Sequence, residues 1–153
     1  CGLPETLPGS VDFSNTHVAQ GSWGPGTCAG LNAEQLGKLI STTLNPNHFK
    51  IIKGWYSESL QNFNCKNGLS LIHIDCDLYQ STVDVLDSLF SRRLINTGCI
   101  ILFDDYFCDQ AKKNQGEARA WSEITNKYMA ECTHYKSYGS NSNSFIVHRY
   151  HVD

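Results

Sequence analysis

Apolar positions along the chain follow two spacings, and together they predict helices that alternate with strands. The helical spacing of three or four residues predicts helices at residues 32–44, 80–94 and 115–129. Short apolar runs bounded by turn residues predict strands at residues 49–54, 68–75, 98–106, 133–139 and 143–152. Residues 1–31 are rich in Gly, Pro, Ser and Thr, so we expect a loop region before the first helix.

The strands at residues 68–75 and 98–106 are almost continuously apolar, with His73 as the main exception. Such strands are typical of sheets that are covered on both faces, so we predict burial of both faces here. Alternation with helices predicts parallel pairing, whereas a short turn at 139–143 makes the last two strands antiparallel. The predicted fold class is α/β: a mostly parallel open sheet flanked by helices, with an antiparallel C-terminal hairpin, in one domain over residues 1–153.

Two of the predicted helices also show local end signals. Asn32 stands where an N-cap is expected for the first helix, and Ser81 or Thr82 is expected to cap the second. The first helix should place four apolar residues on one face: Leu36, Leu39, Ile40 and Leu44. The second should point four residues inward: Val85, Leu86, Leu89 and Phe90.

Composition and charge narrow the class of protein. The chain has 153 residues, 41% of them hydrophobic, which is enough for one domain with its own core. Its formal net charge of -3 and the lack of a basic run argue against a nucleic-acid partner. No apolar stretch is long enough to span a bilayer. The first ten residues have neither a starting Met nor the pattern of a signal peptide, so we expect a processed, truncated or partial chain.

The seven cysteines are scattered and odd in number, and none forms a C-x-x-C pair, which argues against a zinc site. Without a secretory signal, we interpret them as mostly reduced thiols of a cytoplasmic protein. Cys76 and Cys99 lie in apolar segments and are expected to fill space in the core.

Carboxylates follow two of the predicted strands. Asp75 and Asp77 end one strand, and Asp104 and Asp105 end the next. If these strands are neighbours, four carboxylates meet at the edge of the sheet where ligands bind in such folds. Unpaired carboxylates would repel one another, so the pattern predicts a hard divalent cation, most simply Mg2+. Asp77, if it stays off the metal, could act as a general base.

Other interpretations of these acidic residues remain open. A single Asp after a strand is often a helix cap or a turn residue. Asp84 and Asp87 are expected to form the solvated face of the following helix. Haloacid-dehalogenase-like phosphatases also use D-x-D, but Tyr79 stands where they need Thr or Val. A metal-dependent D-x-D glycosyltransferase stays as an alternative, although it does not account for the second Asp pair.

Four segments in this order resemble the macrocin O-methyltransferase family: residues 2–6, 53–60, 72–82 and 101–106. The resemblance runs through nearly the whole chain, and D-x-D-L-Y-x-S-T paired with D-D-Y is its specific part. It implies a Rossmann-like class I methyltransferase fold that uses S-adenosylmethionine and Mg2+. It also implies a small hydroxyl-bearing substrate, such as a sugar or a glycosylated product.

The resemblance also implies roles for particular residues. Asp75, Asp104 and Asp105 would bind Mg2+, and Asp77 would take the proton from the substrate hydroxyl. The cofactor site would comprise the following residues: Gly54, Trp55, Tyr56 and Asp75. Residues 1–31 would form a lid-like region or a dimer contact, with homodimerisation left open.

In the family, a Gly-rich cofactor loop and an acidic ribose-binding residue precede the segment that resembles residues 2–6. We therefore expect this chain to be the C-terminal portion of the enzyme, with the first two strands of the fold missing. Those strands would lie between residues 49–54 and 68–75, so their absence would leave an exposed apolar gap unless a rearranged sheet or a partner chain fills it. The alternative from another functional class is a non-catalytic α/β remnant or dimerisation module.

Aromatic residues and histidines suggest fewer roles. His73 lies inside a predicted strand and is interpreted as a hydrogen-bonded structural residue. Trp23 and Trp55 are candidates for lining a pocket, and Trp121 is expected in the core.

Overall fold

The computed structural model describes residues 2–110 and 112–152, so the Cys1 thiol lies outside the described residues. The helices are α1 (Thr16–Ala19), α2 (Ala33–Ser41), α3 (Tyr56–Ser59), α4 (Tyr79–Ser91) and α5 (Gly116–Lys127), with 3-10 turns at Asp12–Ser14 and Pro46–His48. The strands are β1 (Leu69–Ile74), β2 (Ile95–Phe103), β3 (Glu131–His134) and β4 (Asn143–Arg149). Within the described ranges, no helix is long and apolar enough to cross a membrane.

These strands form one open sheet in the order β1-β2-β4-β3. β1 pairs with β2 in parallel, and β4 is antiparallel to both β2 and β3. Three strands therefore run in the same direction and β4 runs against them. The structure confirms the predicted α/β class, with an antiparallel hairpin at one edge of the sheet. β3 ends at His134, which makes the connection to β4 longer than the predicted turn.

The core lies between one face of the sheet and helices α4 and α5. Phe90 of α4 and Phe103 of β2 are completely buried, and the ring centroids of Phe103 and Trp121 are 5.3 Å apart. The predicted inward face of α4 is confirmed, because the side chains of Val85, Leu86, Leu89 and Phe90 are buried. Cys76 and Cys99 are buried as predicted, and both are free thiols.

The prediction that β1 is buried on both faces is wrong. Ile72 and Ile74 are buried, but Leu71 before them is 62% exposed and His73 between them is exposed as well. Both faces of a strand are buried only when other elements cover both faces of the sheet, whereas α4 and α5 cover one face. β1 also lies at the edge of the sheet, where it is less enclosed than a central strand.

The strand predicted at residues 49–54 does not form. This segment is irregular, and the side chain of Ile52 is 41% exposed. A strand needs a hydrogen-bonded neighbour, and this segment pairs with none of the four strands of the sheet within the described part of the chain. The segment is apolar enough for a strand, but the predicted strand is wrong because no strand among the described residues pairs with it.

One of the two predicted helix caps is confirmed and the other is wrong. Asn32 caps α2 through a capping box with Gln35, as predicted. α4 begins at Tyr79, earlier than expected, so neither Ser81 nor Thr82 caps it and its N-cap residue is Leu78. The apolar face predicted for α2 exists but stays in solvent, since Leu39 is 57% exposed.

Asp87 does more than face solvent. Its carboxylate accepts hydrogen bonds from Lys127 Nζ at 2.6 Å and from the Tyr128 hydroxyl at 2.7 Å. These bonds join α4 to the end of α5, whereas Asp84 accepts one from Gln80 within α4. Both side chains are partly exposed, as expected for the solvated face of α4, and Asp87 in addition joins α4 to α5.

Candidate functional site

The parallel pairing of β1 and β2 brings three of the predicted site residues together. Ile74 lies opposite Phe103, so the residues that follow the two strands emerge side by side at the carboxyl ends of β1 and β2. Asp75, Asp104 and Asp105 each offer a carboxylate oxygen, and these oxygens lie within 4.8 Å of one another. We call these three residues the aspartate cluster.

The chemistry of the aspartate cluster fits a hard divalent cation. Burial raises the pKa of Asp75, and the negative charges of Asp104 and Asp105 raise it further. Among the described residues, the one basic side chain within 4.0 Å of the cluster is His73, whose Nε2 is 3.8 Å from Asp104 Oδ1. Three carboxylate oxygens without a Lys or Arg partner are the donor set that Mg2+ or a similar ion prefers.

Asp77 stands beside the cluster and has an unusual backbone. Its φ of 59° lies in the left-handed region, which Asp and Asn tolerate better than most residues. Burial raises the pKa of Asp77 to about 6, and repulsion from Asp105 and Asp75 acts in the same direction. This carboxylate therefore lies within electrostatic reach of the aspartate cluster, although it is not one of its three members.

A cleft of about 900 Å³ opens next to the aspartate cluster. Its lining includes every residue that was predicted for the cofactor and the base, namely Gly54, Trp55, Tyr56, Asp75 and Asp77. Trp55 is 44% exposed and Tyr56 is 40% exposed, so both rings are available to a ligand. Trp23 is not among the residues that line the cleft; its ring packs at a tilt against His17, with ring centroids 4.5 Å apart.

The N-terminal region is folded onto this cleft. Residues 2–7 and 9–12 line the cleft. The Leu3 N–H donates to the Thr27 carbonyl and the Leu3 carbonyl accepts from the Gly26 N–H, and both hydrogen bonds are 2.9 Å long. Residues 1–31 were expected to be a lid-like loop. The described part of that region contains two short helical turns and forms one wall of the cleft.

Asp12 supplies the cap that the sequence did not reveal for α4. It is 4% exposed, and its carboxylate accepts the backbone N–H groups of Tyr79 at 2.7 Å and Gln80 at 3.0 Å. A carboxylate at a helix N-terminus satisfies free N–H groups and interacts favourably with the helix dipole. Local cap signals could not have shown this cap, because Asp12 is 67 and 68 residues away along the chain from the two residues whose N–H groups it accepts.

A second set of bonds fastens the N-terminal region to the loop after β2. Buried Asn15 donates from Nδ2 to Asp109 Oδ2 at 2.8 Å. Gln115 donates from Nε2 to the Ser14 carbonyl at 2.9 Å. The loop that carries Asp104 and Asp105 is therefore held from the side of the cleft.

Glu117, in the first turn of α5, was also missed by sequence reasoning. Its side chain is completely buried and accepts the backbone N–H of Cys76 at 3.3 Å and that of Asp105 at 3.1 Å. Burial raises the pKa of Glu117 to about 8, although the hydrogen bond from Cys76 opposes this. No pattern in the sequence distinguishes this residue from an ordinary acidic residue at a helix start.

We expect the free energy of unfolding, measured without divalent metal, to fall as the pH rises from about 4.5 to about 8. Over this range the folded state holds a proton on Glu117 that the unfolded state has released, so each pH unit lowers stability by up to about 1.4 kcal/mol. Urea unfolding at several pH values in EDTA measures this slope. Glu117→Gln should flatten it, and an unchanged slope in that variant would contradict the assignment.

The family model described as Macrocin-O-methyltransferase (TylF) matches residues 39–133, more than half of the chain and the part that holds the aspartate cluster and Asp77. No curated protein matches the chain.

Among solved structures, the O-methyltransferase NovP superposes with a TM-score of 0.74 at 18% identity, over 97% of this chain and 57% of NovP. The N-methyltransferase NodS from Bradyrhizobium japonicum WM9 gives a TM-score of 0.38 at 14% identity, over 80% of this chain and 70% of NodS. The NovP match shows a shared fold, and this chain spans a little over half of NovP's length.

Proposed function

The chain belongs to the macrocin-O-methyltransferase family, and from this premise we propose that it serves S-adenosylmethionine- and Mg2+-dependent methyl transfer to a hydroxyl group of a sugar or glycosylated product. The observation that supports this most directly is the aspartate cluster, with oxygens within 4.8 Å, beside a cleft of about 900 Å³. The description of NovP as an O-methyltransferase supports oxygen as the acceptor atom.

Asp75, Asp104 and Asp105 would hold the metal ion. Bound there, Mg2+ would lower the pKa of a sugar hydroxyl, which is a poor nucleophile at neutral pH, and orient its oxygen. The protein's part is to keep three carboxylates at one edge of the sheet, which the parallel register of β1 and β2 does.

The cleft would receive the methyl donor. Its volume is in the range that small-molecule sites occupy, roughly 300–1,000 Å³. Trp55 and Tyr56 are partly exposed aromatic residues that line the cleft, and an adenine ring could pack against them. Residues 2–7 form a wall of the same cleft and would shield the bound molecule from water.

Asp77 would accept the proton of the attacking hydroxyl at its carboxylate. It lines the cleft next to the aspartate cluster, so an oxygen held at the cluster lies beside it. A base held in place in this way makes the oxygen nucleophilic only in the bound complex, and positioning of the two reactants contributes much of the rate.

Calorimetric titration with S-adenosylhomocysteine, with and without Mg2+, tests the proposed function. We expect saturable binding, weakened about tenfold in Trp55→Ala, because truncating a contacting aromatic ring removes on the order of 1.5 kcal/mol of apolar burial. Lys38→Ala, on exposed α2, is the control and should bind like the wild type. A chain that binds Mg2+ but not S-adenosylhomocysteine would contradict a cofactor site in this chain and favour the non-catalytic module.

A further inference from the structure

Glu117 connects the two strand ends that hold the aspartate cluster. Its Oε1 accepts the N–H of Cys76, the residue after Asp75, and its Oε2 accepts the N–H of Asp105. One buried side chain thus bonds to the backbone on both sides of the site.

These two bonds stand where the sheet itself can no longer supply partners. The ladder between β1 and β2 ends at the pair Ile74 and Phe103, followed by one bond of 3.0 Å from the Asp104 N–H to the Ile74 carbonyl. The carboxyl group of Glu117 takes the place of the next pair of strand hydrogen bonds, since each of its oxygens accepts one backbone N–H beyond the end of the ladder.

Burying a carboxyl group is unfavourable unless its hydrogen bonds compensate for lost hydration. Glu117 is completely buried, and within the described ranges no Lys, Arg or His side chain lies within 4.0 Å of it. The two N–H donors are therefore its compensation. An apolar residue would fill the same space in the core but could not accept the two N–H groups. The position therefore needs a side chain with two acceptor oxygens.

The helix that carries Glu117 is closely packed. Ala118, Ala120 and Trp121 of the same helix are buried in the core. Gly116 has a φ of +55°, and a Cβ added there would lie 2.6 Å from Asp109 Oδ2. The start of α5 is thus fixed closely against the loop after β2, which sets the position of Glu117.

We propose that Glu117 is a positioning residue that holds the carboxylates of Asp75 and Asp105 at the separation one divalent cation requires. The inference rests on the proposed function, because it assumes that the aspartate cluster binds such a cation. Partners that support metal ligands in this indirect way typically contribute about 10- to 100-fold in metal affinity.

Glu117→Gln is the direct test, because glutamine has the same length but one acceptor oxygen. We expect Mn2+ affinity, measured by calorimetry, to fall about 10-fold or more, and the amide protons of Cys76 and Asp105 to exchange faster with solvent. Ile124→Val, in the core on the same helix, is the control: it should lower the unfolding midpoint without changing Mn2+ affinity. Gly116→Ala is a second variant that keeps the carboxylate but displaces it, and it should lower the affinity as well.

The outcomes separate this inference from the proposed function. If the wild type binds Mn2+ and Glu117→Gln binds it within twofold, the positioning role is overturned. If the wild type binds no Mn2+, the proposed metal site fails, and the positioning role fails with it. Amide exchange at Cys76 and Asp105 then shows whether the hydrogen bonds from these residues to Glu117 exist. If Glu117→Gln does not fold, unchanged Mn2+ affinity in Gly116→Ala overturns the role.

Discussion

Replacing Asp104 and Asp105 together by asparagine is expected to abolish divalent-metal binding while the fold stays intact. The double variant leaves one carboxylate, Asp75, of the three whose oxygens lie within 4.8 Å. A hard cation depends on the charge of its oxygen ligands, so the loss should exceed the roughly 100-fold that removal of a supporting partner can cause. Calorimetric titration with Mg2+ and Mn2+ measures it.

The fold should survive this change because asparagine keeps the shape and one oxygen of each side chain. Asp104 Oδ1 accepts from the Ser142 hydroxyl at 3.3 Å and Asp105 Oδ1 accepts from the Cys108 thiol at 2.8 Å, and an amide oxygen can take both roles. The matched control is the double variant Glu34→Gln, Glu131→Gln, which removes the same charge from exposed ion pairs. Unchanged Mg2+ affinity in the Asp104, Asp105 variant would disprove the metal assignment.

The second large effect concerns catalysis. Asp77→Asn is expected to reduce methyl transfer by about 10²- to 10⁴-fold, the usual contribution of a general base, while metal binding is kept. Asparagine is the suitable substitute because, like aspartate, it tolerates the left-handed backbone with φ of 59° at this position. The measurement is the formation of S-adenosylhomocysteine with a glycoside acceptor found by screening.

The control for Asp77 is Asp87→Asn. Asp87 lies on α4 and bonds to Lys127 and Tyr128, and it is not among the residues that line the cleft. This variant should retain turnover within a few-fold. Wild-type turnover in Asp77→Asn would assign the proton transfer to another group or to water, even if the cofactor and metal sites are confirmed.

Features that depend on local pattern were predicted well. The helical spacing gave α4 and its buried face, and the apolar runs gave β1 and β2. The meeting of the aspartates followed from one further step, that parallel neighbours end at the same edge of a sheet. Their juxtaposition in the structure agrees with that step.

Features that depend on distant partners could not be predicted. The segment 49–54 has strand composition, but composition does not supply a neighbouring strand. The exposed face of β1 depends on what covers the sheet, which an apolar run does not state. Asp12 and Glu117 both act on backbone groups far along the chain, 67 and 41 residues away for their first partners. Their identity as acidic residues at turns carried no sign of this.

The edge position of β1 has a practical consequence for handling the polypeptide. β1 reads LSLIHI, without a Lys, Glu, Asp or Pro, and Leu71 on it is 62% exposed. Natural edge strands are commonly protected by such residues, since an unprotected edge can add strands from other molecules. Concentrated solutions of this polypeptide should therefore be prone to aggregation through β1. Low protein concentration during titrations guards against mistaking strand addition between molecules for ligand binding.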